Sequence, residues 1–89
     1  MEIRELVMRA REQVEDLTGR KVETVSGFHR DDGDRWTVTV EVLEMRRVPD
    51  TMDLLATYAV TLAEDGDVLG LERRRRYHRA AVDPPRRPR

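Results

Sequence analysis

The sequence predicts an α+β fold: one N-terminal amphipathic helix packed on a four-stranded antiparallel β-meander. Three observations carry this. Apolar residues recur at helical spacing up to Gly19, they alternate at period two beyond it, and each later run is bounded by Asp-Gly or Pro punctuation. The chain has 89 residues, 38% hydrophobic and 39% charged, enough apolar side chains for one layer of helix on one sheet. The expected organisation is a single domain over residues 1–82 and a disordered Pro/Arg-rich tail over 83–89.

The helix comes first. Ile3, Leu6, Val7, Ala10, Val14 and Leu17 form the i, i+3, i+4, i+7 stripe, with Arg and Glu on the opposite face. Gly19 stands where a C-cap belongs, because it adopts positive φ without a Cβ penalty. About 16 helical residues are expected.

A short mixed strand follows at 21–29, with Gly27 marking a bulge. The turn Asp31-Asp32-Gly33-Asp34 leads into a strand from 35 in which Trp36, Val38, Val40 and Val42 alternate with Thr37, Thr39 and Glu41. Residues 48–53 form a loop around Pro49, which cannot donate to a ladder. A third strand spans 54–63 and a fourth 68–79, joined by the turn at Asp65-Gly66. A two-residue turn there pairs Leu62 with Leu69, Val60 with Leu71, Tyr58 with Arg73, Ala56 with Arg75 and Leu54 with Tyr77. On the other face Thr57 meets Arg74, Leu55 meets Arg76 and Asp53 meets His78.

Several functional classes find no support in the residues. There is no cysteine, hence no disulfide, thiol nucleophile or thiolate metal site. His29 and His78 lack partners at ligand spacing, and the Asp31, Asp32, Asp34 cluster lacks the ligand spacing and closing Glu of a calcium loop. Ser26, the one serine, has no nucleophile-elbow context, and no glycine loop cradles phosphate. We expect no enzyme, no cofactor and no metal. The charged N-terminus does not open into a signal peptide, and no apolar run approaches the roughly 20 residues of a membrane span.

Charge is unevenly spread. Residues 1–66 hold nine Arg/Lys against fifteen Asp/Glu, a balance of −6; residues 67–89 hold eight against three, a balance of +5. The run Arg73-Arg74-Arg75-Arg76 has two readings: an anion-seeking patch with Tyr77 and His78, or a charged edge strand that discourages aggregation. Plain alternation puts Arg73 and Arg75 on one face and Arg74 and Arg76 on the other. The acidic body repels phosphate, so a nucleic-acid footprint is the lesser form of the first reading. Glu44 shares the parity of the core face, and a partly buried pair with Arg73 or Arg75 is expected at the sheet rim. Leu43, Met45, Leu55 and Ala59 on the other face would make an apolar patch for a second molecule, homodimeric or heteromeric.

The segment from Arg35 to Asp50, with its Glu44-Met45-Arg46-Arg47-Val48-Pro49 run, resembles the gas vesicle protein O family. The similarity continues through 53–58, Asp65-Gly66, Arg76-Tyr77 and Val82-Asp83, and takes in the helix with Leu17-Thr18-Gly19. The resemblance implies a cytoplasmic, gas vesicle-associated accessory or assembly protein without established catalytic residues. Its partners would be other gas vesicle accessory or structural proteins, an AAA+ ATPase among them. On the residues themselves, Arg46, Arg47, Pro49 and Asp50 of the loop and Arg74, Arg76 and Tyr77 of the fourth strand are the candidate partner-binding set. The alternative is a small nucleic-acid- or polyanion-binding domain using Arg73–Arg76.

Overall fold

The computed structural model describes residues 2–81. The expectation of a disordered tail at 83–89 lies outside the described residues. One helix, α1 (Ile3–Thr18), precedes four strands: β1 (Val22–Arg30), β2 (Arg35–Met45), β3 (Leu54–Ala63) and β4 (Val68–His78). Short 3-10 turns cover Asp50–Met52 and Arg79–Ala81. The strands form one antiparallel sheet in the order β1-β2-β3-β4, so the α+β meander expected from the sequence is the fold observed.

Helix α1 ends at Gly19, whose φ of 71° lets its N–H reach the Glu15 carbonyl at 2.9 Å. Only Leu6, Ala10 and Val14 of the stripe are fully buried; Ile3 and Leu17 at its ends are more than half exposed. The helix therefore packs through its middle turns. Against it lie Val38, Val40 and Val42 of β2, Ala56, Tyr58, Val60 and Leu62 of β3, and Val22 of β1. Each fully buried Leu or Val of this layer contributes about 1.5–3 kcal/mol. Phe28 and Trp36 close one end of the core, their rings stacked with centroids 4.8 Å apart.

The last hairpin departs from the expected two-residue turn. Gly66 adopts φ 96°, its N–H reaches the Ala63 carbonyl at 2.9 Å, and Ala63 N–H reaches Asp67 O at 2.8 Å. Three residues, 64–66, thus form the loop, because only glycine takes the left-handed position that closes it. A bulge at Leu69 restores the expected register across Val60–Leu71 and Tyr58–Arg73. A second bulge at Arg74 breaks it again: Thr57 faces Arg75, Ala56 faces Arg76, Leu55 faces Tyr77 and Leu54 faces His78. A bulge adds one residue to one strand, and every side chain beyond it changes face. Arg73 and Arg76, three apart, consequently share the helix-side face, while Arg75 and Tyr77 share the open one. The expected sharing of faces by Arg73 with Arg75, and by Arg74 with Arg76, does not occur.

Strand β1 also carries two register shifts, one between Val25 and Gly27 where Ser26 is left unpaired, so Gly27 does border a bulge. Because Arg35 pairs with Ala63, the turns at 31–34 and 64–67 lie at one end of the sheet, and the β2–β3 loop lies at the other. Arg74 is the extra residue, so deleting it removes the second bulge and leaves the observed pairs in a regular ladder, with Arg76 on the helix side and Tyr77 on the open face. We expect the deletion to be tolerated, with a melting temperature close to that of Arg74→Ala as followed by circular dichroism; loss of the folded state would show that the bulge itself is required.

Candidate protein-docking site

The end of the sheet bearing the β2–β3 loop is built on two buried carboxylates. The first is Glu44, left unpaired by a register shift between Leu43 and Met45, with a side chain only 2% exposed. Its Oε1 accepts from Arg76 Nε at 2.9 Å, its Oε2 from the Tyr58 hydroxyl at 3.1 Å, and Arg73 stands 3.6 Å away. Burial raises the Glu44 pKa, but the hydrogen bonds from Arg76 and Tyr58 and the charges of Arg76 and Arg73 outweigh it, leaving the pKa below its ordinary value. The expected rim pair is present, with Arg73 and Arg76 as partners; Arg75 is carried to the other face by the bulge. Burial, with the carboxylate of Glu44 as acceptor, also raises the Tyr58 pKa.

The second carboxylate is Asp53, whose side chain is 3% exposed. It closes the loop: Oδ1 accepts the Arg47 backbone N–H at 2.7 Å, and Asp53 N–H reaches Asp50 O at 2.9 Å. On its other side Oδ2 accepts from Arg79 Nε at 3.3 Å and Nη2 at 3.1 Å. Arg79 also grips Glu23 of β1 through two bonds of 3.2 and 2.6 Å, and its backbone N–H reaches Asp53 O at 2.8 Å. One guanidinium therefore ties β1, the start of β3 and the end of β4. The backbone bond from Arg47 and the side-chain bonds from Arg79 hold Asp53 below the usual carboxylate range, and Glu23 and Asp53 raise the Arg79 pKa further.

This clasp leaves the tip of the loop in solvent. Arg46, Arg47, Val48, Pro49 and Asp50 are all exposed, Val48 at 98%, and the Val48–Pro49 peptide is cis. Met45 and Met52 flank the tip, each close to half exposed. Among the described residues no ion pair closes on Arg46 or Arg47. Four of the seven candidate residues thus stand together on one loop, and Arg76 approaches it through Glu44. Arg74 projects from the bulge beside Glu72, at 3.8 Å.

Tyr77 lies apart, on the open face. Its hydroxyl, with those of Ser26 and Thr57, donates to Glu41, the latter two at 2.6 Å. Burial and the Glu41 carboxylate push the Tyr77 pKa up to about 12, and the Arg75 guanidinium lies over its ring at 4.6 Å. The apolar patch expected on this face is largely internal. Leu55 and Ala59 are buried and Leu43 is half-buried, with Leu55 flanked by Leu43 and Tyr77 in the neighbouring strands. Only Met45 of that set is open. Sequence reasoning passed over Glu41, Asp53, Arg79 and Glu23 as site-builders, since their side-chain partners lie 15 to 56 residues away. A lone Asp directly after a Pro loop was the one local signal, for Asp53.

Two measurements test this framework. Glu44→Gln removes the charge that Arg73 and Arg76 share, and should cost about 1–2 kcal/mol of unfolding free energy in urea at neutral pH. Because Glu44 and Asp53 bind protons less readily folded than unfolded, their stabilisation is complete above their ordinary pKa values of 4.5 and 3.8. It is lost as pH falls through the lowered folded values. Glu44→Gln should flatten that acid limb, and an unaltered limb would show that Glu44 does not contribute to it.

Comparison with known proteins follows the same segments. Residues 1–83 match the family model described as gas vesicle synthesis protein GvpO. Gas vesicle protein O of Streptomyces sp. (strain CB03234) is 52% identical over 71 residues, covering 80% of this chain and 55% of that protein. Gas vesicle protein O of Haloferax mediterranei is 38% identical over 72 residues (81% of this chain, 51% of the relative), and gas vesicle protein O1 of Halobacterium salinarum is 42% identical over 72 residues (80% and 59%). The chain thus spans about half the length of these curated relatives. No solved structure shows a significant match. By a family match that runs through the helix and all four strands, this chain belongs to the gas vesicle synthesis protein GvpO family.

Proposed function

We propose that the chain serves gas vesicle formation as a non-enzymatic accessory that binds other gas vesicle proteins through the β2–β3 loop. The observation that carries this reading is the loop itself: a charged and apolar tip, Arg46-Arg47-Val48-Pro49-Asp50, held out by the buried Asp53. A loop fixed in advance loses little conformational entropy on binding, and arginine beside exposed aliphatic surface suits an acidic, partly apolar protein face. Arg74, Arg76 and Tyr77 would extend the contact along β4. Partners of this kind include the vesicle's structural proteins and an AAA+ ATPase serving assembly.

A nucleic-acid role is less well supported by this geometry. Arg73 and Arg76 share the carboxylate of Glu44 and Arg75 lies on the opposite face, so the arginine run presents no single phosphate-tracking stripe.

Tagged chain should recover named gas vesicle proteins from cells expressing the full gene set after nuclease treatment. Arg46→Ala with Arg47→Ala should reduce that recovery at least tenfold while leaving the melting temperature within 2–3 °C, about what an exposed substitution costs. Undiminished recovery would rule out the loop as the contact. Recovery of nucleic acid alone, lost at high salt, would favour the polyanion reading.

A further inference from the structure

The two ends of the sheet carry opposite charge. At the turn end, Asp31, Asp32, Asp34, Glu64, Asp65 and Asp67 stand against Arg30 and Arg35, six acids to two arginines, a balance of −4. Between these turns is an open hollow lined by Ala63, Leu69, Asp34, Glu64 and Asp65, beside Arg35. Leu69 is 52% exposed there, because the β4 bulge pushes it out of register. Arg30 approaches Asp34 at 3.7 Å and Glu64 at 4.0 Å, exposed contacts that leave both carboxylates oxygens for other donors.

At the loop end the converse holds. The acids beneath the tip are already engaged, Glu44 by Arg73 and Arg76, and Asp53 and Glu23 by Arg79. Among the described residues Arg46 and Arg47 are not, and Asp50 is the one acidic side chain on the exposed tip. Between Arg47 and Pro49 the nearly naked Val48 stands as an apolar knob.

Direct strand addition is the usual route by which an open sheet self-associates, but here both edges are interrupted. Strands β1 and β4 each carry two register shifts, which break the row of free backbone groups an incoming strand needs. The ends of the sheet remain. We infer that the chain associates head to tail with a second copy of itself. Val48, Arg46 and Arg47 of one copy enter the Leu69 hollow of the next, and its guanidinium groups meet Asp34, Glu64 and Asp65. Such an interface is heterologous: it leaves a free knob and a free hollow, so association continues into an open chain or closes into a ring. The inference does not rest on the gas vesicle role, since purified chain alone reports on it.

Sedimentation velocity of the purified chain at low ionic strength is the test. The average mass should climb above the 10.4 kDa monomer with concentration, pass beyond a dimer, and return to monomer near 1 M salt, where screening falls to about 3 Å. Two variants make the geometry explicit. R46E/R47E destroys the knob end and D34K/E64K the hollow end, and each alone should remain monomeric at ten times the concentration at which the native chain associates. Mixed, they should associate again, because the native knob of D34K/E64K meets the native hollow of R46E/R47E and the two reversed ends are once more opposite in charge. A native chain that stays monomeric at low salt, or stops at a closed dimer, overturns the inference. So does a mixture that gives no complex. The salt series on the native chain decides the matter even if a charge-reversed variant misfolds.

Discussion

The arrangement of β4 depends on one buried carboxylate. Glu44 sits at the helix-side rim of the sheet with its side chain out of water, and an ionised carboxyl in such a place needs donors or cations to offset its lost hydration. Tyr58 supplies one donor from the core, and β4 must supply the rest. A regular strand cannot place two arginines three residues apart on one face. The bulge at Arg74 does so, and brings Arg73 and Arg76 to the same carboxylate. Glu44 and the bulge are therefore two halves of one solution. The bulge makes the charge cluster possible, and the cluster stabilises the bulge.

The consequences spread to the opposite face. Once the strand has slipped, Tyr77 lies opposite Leu55 and sends its hydroxyl to Glu41, which also accepts from Ser26 and Thr57. Ser26 reaches Glu41 from its own bulge in β1. Irregularities in the two edge strands thus converge on one acceptor in the central strand β2, so polar contacts organise the open face beside the buried Leu55 and Ala59. Beyond Tyr77, the same slip delivers Arg79 to the end of the sheet, where it joins Asp53 and Glu23. Asp53 in turn fixes the loop that carries the candidate binding residues. A chain of specific contacts therefore runs from the buried Glu44 to the exposed Val48 tip.

Much of the candidate site was legible because it is local. Arg46, Arg47, Pro49 and Asp50 fall in a break between two well-patterned strands, and a break around proline must expose its side chains. The role of Arg76 was legible only as charge. Its partner lies 32 residues away, and no pattern within β4 announces an extra residue at Arg74. Asp53, Arg79 and Glu23 escaped for the same reason, since each looks like an ordinary surface charge until the strands are assembled.

By itself the sequence determined the elements and their order. A 3.6-residue period, a capping glycine, period-two alternation and Asp-Gly turns are short-range signals, each set by a few neighbouring residues. Helix α1 and the four-strand meander could be read from them, and the family from the resemblance carried by the Glu44–Pro49 run. Tertiary structure alone decided which way the last strand faces. Register past a bulge changes by a single residue, and which register prevails depends on whether Glu44 and Glu41 find their donors across the sheet. That choice places Arg76 beneath the loop and Tyr77 on the open face. It is a property of contacts between strands, and no single strand's sequence contains it.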